Sequence, residues 1–382
     1  MNSRKALFLA ALLPLFSAQA QLAPGRYQAL YPALYLDLTA SHNGQSKAYD
    51  AQGREQNSAT PTYGAGARFP TTREDAHLQW FFPFFEASQI PLISSRLWTA
   101  RATLGLVQTR TEGGIADYAE ANGLVRQSDG VSDLLLEFGP VLAGSADWRN
   151  RESTPYSLIA VTRFHLPVGA RDPDSPNNAG SNVWGFGLGL GGYWRPHPRL
   201  HLDLGVQADT FSRDSEPAFG AQTPSKTGSR VAADFTASAR LFGGVYASAG
   251  VDTWRQSANS YQKVRFANNP PKAATGMDSF PDPAPVRDGG SELTRVGAGL
   301  SWFARPRLRL NLSWAHPVAG KSGEFDLHYL QQMQRCIATN TCNPQPAGSA
   351  HVDGLGSARS YADDSISLSL GWQFSQGDFY SW

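Results

Sequence analysis

The sequence predicts an all-β fold: a transmembrane antiparallel β-barrel of about twelve strands, with short periplasmic turns and long extracellular loops. Three observations lead there. Apolar and polar residues alternate with a period of two through most of the chain, long and short connections alternate, and the composition suits a chain that crosses a membrane on strands. Of 382 residues, 17% are charged, 37 are Gly, and Phe, Tyr and Trp number 20, 13 and 10. The mean hydropathy of −0.34, with no second long apolar run after the N-terminus, excludes a polytopic helical membrane protein. The apolar and aromatic content argues against a largely disordered chain. Basic and acidic residues number 33 and 32, so no charge excess steers the protein to nucleic acid.

In chain order, Met1–Ala20 reads as a secretory signal peptide. Arg4 and Lys5 form its positive region, Ala6–Phe16 its apolar region, and Ala18-Gln19-Ala20 a cleavage site before Gln21. Residues 21–382 then form a single barrel domain. Its strands are expected at roughly 30–42, 76–86, 95–108, 131–143, 155–167, 182–194, 199–211, 229–241, 243–255, 292–303, 306–317 and 363–374, with a short tail at 375–382. The alternation is plain in three of them. Leu308, Leu310, Leu312 and Trp314 oppose Arg307, Arg309, Asn311 and Ser313. Leu200, Leu202, Leu204 and Val206 oppose His201, Asp203, Gly205 and Gln207, and the run from Ser365 to Phe374 repeats the pattern.

Every second connection is long and polar: 43–75, 109–130, 168–181, 212–228, 256–291 and 318–362. Those between are mostly short, such as 195–198 and 305–306, and aromatics flank them: Tyr193 and Trp194 before one, Trp302 and Phe303 before the other. A soluble β-sandwich also alternates, but loops of about 30 residues are uncommon in compact domains, whereas a barrel of this kind requires them at one end and an aromatic girdle at the other. In the last long loop, Cys336 and Cys342 are the two cysteines of the chain. In an oxidising compartment they are expected to close a small disulfide loop.

Three stretches resemble the MetA-pathway of phenol degradation family, exported barrels regarded as outer-membrane transporters. They are Gly130-Val131-Ser132-Asp133-Leu134, the run from Phe164 through Leu166-Pro167-Val168-Gly169 to Asp174, and Asn178-Ala179-Gly180-Ser181-Asn182-Val183-Trp184. The resemblance implies an outer-membrane location and a barrel fold more strongly than any one cargo. The chain departs from the family pattern at Val168, where Thr is usual, in the 318–362 loop and in the tail after Phe374.

If the apolar parity faces lipid, the other parity lines the lumen. It carries Tyr35, Arg101, Asp133, Glu137, Arg163, His165, Asp203, Tyr246, Arg295 and Arg309 as candidate substrate-pathway residues, beside Asp37, His201, Asp209, Asp234, Arg240, Asp252 and Arg307. Acids and bases occur together, so neither ion sign is favoured. Tyr35, Tyr246 and Trp254 are the aromatic candidates for contacting an apolar solute, and Arg163 with His165 for an anionic one. Gly185, Gly187, Gly189 and Gly191 all fall on one strand face, where they open space for bulky neighbours or allow sharp curvature; a dinucleotide fingerprint would need a helix after them.

Catalytic patterns are weak. No G-x-S-x-G elbow occurs, and Asp363-Asp364 is an adjacent acid pair near an outer rim. Asp172, Asp174, Asn177 and Asn178 offer oxygen ligands without the EF-hand order. The expectation is therefore a non-enzymatic outer-membrane channel for passive uptake of small solutes, aromatic or hydrophobic compounds in particular, with no cofactor and no metal. Its expected partners are outer-membrane lipids, those solutes, and the barrel-assembly machinery during insertion. The alternatives are a barrel hydrolase of lipids or peptides, and a surface-display barrel.

Overall fold

The structure, a computed structural model, describes residues 22, 26–28, 33–57, 68–83, 97–110, 112–113, 127–144, 155–171, 178–214, 226–261, 286–287, 289–305, 308–323 and 360–375. Residues 1–20, expected to form a signal peptide, the cysteine pair, Asp172, Asp174, Asn177, Arg307 and residues 376–382 of the expected C-terminal tail lie outside these.

Twelve strands carry the fold: β1 Ala33–Asn43, β2 Thr71–Pro83, β3 Leu97–Arg110, β4 in two pieces (Gln127–Val131 and Leu134–Ala143), β5 Tyr156–Leu166, β6 Gly185–His197, β7 Leu200–Phe211, β8 Arg230–Phe242, β9 Val245–Gln256, β10 Ser291–Arg305, β11 Leu308–Lys321 and β12 Ser365–Ser375. Each pairs antiparallel with its sequence neighbours. β1 also pairs with β12, from Ala33↔Ser375 to Asn43↔Ser365, so the sheet closes into a barrel.

The alternating pattern maps onto the two faces. Leu38, Leu104, Phe164, Leu188, Leu204, Phe235, Leu300, Leu312 and Leu370 point outward and are exposed, while Thr39, Glu137, Asp203, Ser238, Asn311 and Ser369 point inward and are buried. A water-soluble domain sorts these residue types the other way. The described residues contain no helix long and apolar enough to cross a membrane. The outward band is the surface that strands present to lipid. Trp80, Tyr156, Trp194, Trp302 and Trp372 are exposed near the short-turn end of that band, where the girdle is expected.

Three elements differ most from the sequence expectation, and one of them is β11, which runs on to Lys321 where a loop was expected from 318. β2 begins at Thr71, not near 76, because Arg73 and Asp75 continue the inward parity of a strand although their charge reads as loop. β4 extends back to Gln127 and is broken at Ser132-Asp133. Its outer piece pairs with β3 alone, its inner piece with β3 and β5.

Candidate functional site: the barrel lumen

The lumen has two unlike halves. Along β1–β5 its short-turn end is filled by apolar wall residues: Phe81, Leu97, Val141 and Ile159 are buried together, with Tyr35 and Val161 packed on them. The rings of Tyr35 and Phe81 meet edge to face with centroids 6.0 Å apart. A polar lining there was expected from parity, and the structure shows an apolar one. Along β6–β10 the wall instead presents glycines, and the space they leave is occupied by the chain's own N-terminal segment. A Cβ on Gly191 would collide with the Tyr27 ring, and one on Gly205 with the Tyr27 hydroxyl. Cβ atoms on Gly250, Gly297 and Gly299 would collide with Leu22.

Hydrogen bonds fix the segment as well as shape. The Tyr27 backbone N–H donates to Asp203 Oδ1 at 3.0 Å, its hydroxyl donates to Asp234 Oδ1 at 2.8 Å, and Ser157 Oγ donates to the Tyr27 carbonyl at 2.8 Å. Arg26 Nη1 lies 3.4 Å from Asp234 Oδ2. The segment is thus anchored to β5, β7 and β8 by polar groups, and Leu22 seats it against β9 and β10.

Between the halves runs a chain of ion pairs. Arg101 Nη1 lies 3.0 Å from Glu137 Oε2, and Arg163 Nη1 lies 2.5 Å from Glu137 Oε1. Arg163 Nε lies 2.9 Å from Asp209 Oδ1, which His165 Nε2 approaches at 3.4 Å. Arg163 is on β5 and Asp209 on β7, so the pair spans β6. In register between them sits Gly187, where any side chain would strike the Asp209 carboxylate. The same device recurs at the seam. Arg309 on β11 reaches Asp37 on β1 at 2.5 Å across Gly371 of β12, which is in register with both. Arg295 holds Asp252 through Nη2 at 2.7 Å and Nε at 3.0 Å. Each guanidinium is held by a carboxylate, as buried charge requires.

The remaining candidates lie at the ends. Tyr246 stands with His201 and Phe303 at centroid distances of 5.3 and 5.4 Å near the short turns, and the Tyr193 hydroxyl lies 2.9 Å from His201 Nδ1. Toward the long-loop end, the Arg230 guanidinium sits over the Trp254 ring at 4.6 Å, and Trp254 packs on Tyr49, Leu293 and Ala362. Arg240 turns away to the Gly243 carbonyl, at 2.6 Å. At the outer rim both acids of the 363–364 pair are engaged. Asp363 accepts the backbone N–H groups of Ser46 and Lys47, each at 2.7 Å. Asp364 accepts the Trp314 indole N–H at 2.9 Å and lies 2.6 Å from His316 Nδ1, and this His316 hydrogen bond, the largest cause, holds its carboxyl below the usual range.

The sequence profile of the MetA-pathway of phenol degradation family matches residues 61–325, more than half of the chain. The chain belongs to that family. The COG4313 outer membrane channel from Pseudomonas putida F1 is a structural neighbour with a TM-score of 0.59 at 14% identity, over 92% of this chain and 99% of that one, a likeness of fold. The NanC porin aligns at a TM-score of 0.36 and 10% identity (89% and 99%), and a Pseudomonas aeruginosa FadL homologue at 0.32 and 11% (93% and 95%). No curated protein sequence matches the chain.

In this member of the phenol-degradation family, the three family-like stretches converge on the break in β4. The Asp133 carboxylate accepts the Gly169 N–H at 3.0 Å, the Ser181 N–H at 2.8 Å and the Ser181 hydroxyl. Gly130 faces Ala170 and Ala179, and Gly169 and Gly180 touch backbone to backbone, where a side chain on either has no room. The Ala170 N–H donates to the Val131 carbonyl at 2.8 Å, doing for the outer piece of β4 what β5 does for the inner. Sequence reasoning placed Asp133 in the lumen; the structure places it in this knot. It also missed Leu22, Arg26 and Tyr27, Arg73 with Asp75, Arg230, and the apolar cluster around Phe81. The signal for the first three was present: a column of lumen-parity glycines (Gly191, Gly205, Gly250, Gly297, Gly299) needs a guest, because protein interiors do not leave such space open.

Proposed function

We propose that this protein is an outer-membrane channel through which small solutes diffuse passively, and that small aromatic or hydrophobic compounds are its cargo. The observation that carries the reading is the form of the obstruction. One half of the lumen is filled by wall side chains, but the other is filled by a separate, non-strand segment on a glycine-lined wall, so the bore opens if that segment shifts while the barrel stays intact. The family's description supports an aromatic cargo. So do the rings of Tyr246, Phe303 and His201 near one mouth and Trp254 near the other, which suit an apolar, planar solute. Mutual pairing of the lumen charges supports an uncharged cargo over an ion.

On this reading the outward apolar band meets outer-membrane lipid and the long loops face outside. The signal peptide directs export, the barrel-assembly machinery inserts the chain, and no cofactor takes part. Commitment of Asp363 and Asp364 to backbone, indole and imidazole donors supports a channel over a hydrolase.

The test is single-channel conductance of the refolded mature protein in a planar bilayer, with and without phenol or benzoate. Discrete steps that a low concentration of the aromatic blocks are expected. A folded barrel with neither conductance nor aromatic response overturns the reading. Uptake by Tyr246→Ala and Arg163→Ala variants separates their roles: a loss in the first alone fits an uncharged aromatic cargo, and loss in neither removes both residues from the pathway.

A further inference from the structure

Leu22 is 3% exposed, and its side chain lies in a hollow of the wall floored by Gly250, Gly297 and Gly299. The hollow does not end at the leucine. It continues as a small cavity, with room for about one water molecule, against Arg295, Asp252, Ser313, Ser365 and Ser367. Its lining changes character along its length. The floor is backbone and the Leu22 contact is apolar, whereas the far end is hydroxyl-lined, with Ser313 Oγ and Ser367 Oγ 2.6 Å apart. One hydroxyl of such a pair donates to the other and the second keeps its proton for a third group, while both retain acceptor capacity. One step along the same face, Asn311 is 1% exposed. Its carbonyl oxygen accepts the Ser301 hydroxyl at 2.8 Å, and its amide nitrogen is buried without a hydrogen-bond partner among the described residues.

We propose that this hollow is a binding subsite for a small uncharged solute that combines a compact apolar group with a hydroxyl, and that Leu22 occupies it as an internal competitor. The apolar group takes the place of the leucine side chain over the three glycines, and the hydroxyl reaches Ser313 and Ser367. The solute is uncharged because Arg295 and Asp252 already balance each other, the guanidinium giving Nε and Nη2 to the carboxylate, so a carboxylate or ammonium entering beside them would bring a net charge into a buried site. A tethered leucine competes at a high effective concentration, so binding by the intact chain is weak and strengthens when the leucine is cut back. The inference deepens the channel reading above and rests on it for the site's purpose, though not for its existence.

The probe is 4-methylpentan-1-ol, whose branched end matches that of leucine, with 4-methylpentanoate as its charged counterpart. Binding is measured by calorimetry on the refolded mature chain in lipid nanodiscs, with heat-modifiable gel migration as the folding control. Leu22→Gly should tighten alcohol binding by about tenfold over the parent chain and Leu22→Phe should weaken it, the scale on which a few methylenes in an apolar pocket are discriminated. In the Leu22→Gly background, Ser313→Ala with Ser367→Ala should return most of that gain, and the carboxylate should bind at least about tenfold more weakly than the alcohol. Equal alcohol affinity in the parent, Leu22→Gly and Leu22→Phe chains overturns the proposal, and equal affinity for alcohol and carboxylate overturns its uncharged ligand. Conductance of the same preparations separates the two readings. Leucine-dependent binding without conductance removes the channel and keeps the subsite, while conductance without leucine-dependent binding does the reverse.

Discussion

Glu137 holds two guanidiniums at once, Arg101 at 3.0 Å and Arg163 at 2.5 Å, and is itself buried. Arg163 has Asp209 as a second carboxylate, whereas Glu137 is the carboxylate partner of Arg101 among the described residues. Cutting Glu137 to Ala therefore strips Arg101 more than Arg163, and a charge left in a buried site costs about 3–5 kcal/mol. Unfolding in denaturant from lipid vesicles should show a loss on that scale, and a loss below about 1 kcal/mol would mean that water reaches the pair and screens it. Asp364 is the contrasting case, exposed at the rim. Its folded-state pKa lies below the ordinary aspartate value of about 3.9, so the stability that ionised Asp364 takes from His316 and Trp314 is present above that value and is lost as pH falls through the lowered one. The part of Trp emission that Asp364→Asn alters should thus change only in strong acid; a transition near neutral pH would show that another group governs the contact.

At the scale of elements, alternation located all twelve strands because a barrel wall has one wet and one lipid-facing side, and that contrast is written at every second residue. It failed where the rule itself fails. The inward parity of β2 carries Arg73 and Asp75, which look like loop, and the inward parity at the short-turn end carries Phe81, Leu97, Val141 and Ile159, which look like lipid face. Longer-range architecture was less legible. Gly187 and Gly371 show as glycines in strands, but the ion pairs that cross above them join residues on strands two apart, a relation that no local pattern holds. The break in β4 is similar: the motif at 130–134 was visible, and its contact with 169 and 181 was not. That contact gives a prediction for the element. Asp133→Ala removes the acceptor of three donors, so the segment 167–184 should become cleavable by protease while the barrel keeps its folded gel mobility. Cleavage rates unchanged from the parent would show that the Ala170–Val131 and Gly180–Ala170 backbone bonds suffice without the carboxylate.

For the whole molecule, barrel and N-terminal segment are two bodies that meet through glycine. A conventional core resists substitution on both sides of a contact, but at Gly191 the three atoms nearest to an added Cβ all belong to the Tyr27 ring. Gly191→Leu should therefore expel the segment and leave the strands undisturbed. Expulsion also changes the field in the lumen, because Asp203 loses the Tyr27 N–H, and Asp234 loses the Tyr27 hydroxyl and the nearby Arg26 guanidinium. Two carboxylates then face the bore with fewer donors, and a bore lined by exposed carboxylates favours cations. Gly191→Leu should accordingly raise single-channel conductance and shift the reversal potential in a salt gradient toward cation preference, and Asp203→Asn with Asp234→Asn in the same chain should cancel the shift while keeping the larger conductance. Higher conductance without a change of selectivity would mean that Arg26 stays near the carboxylates after Tyr27 leaves. An unaltered conductance would place the obstruction in the apolar cluster of β1–β5 and not in the segment.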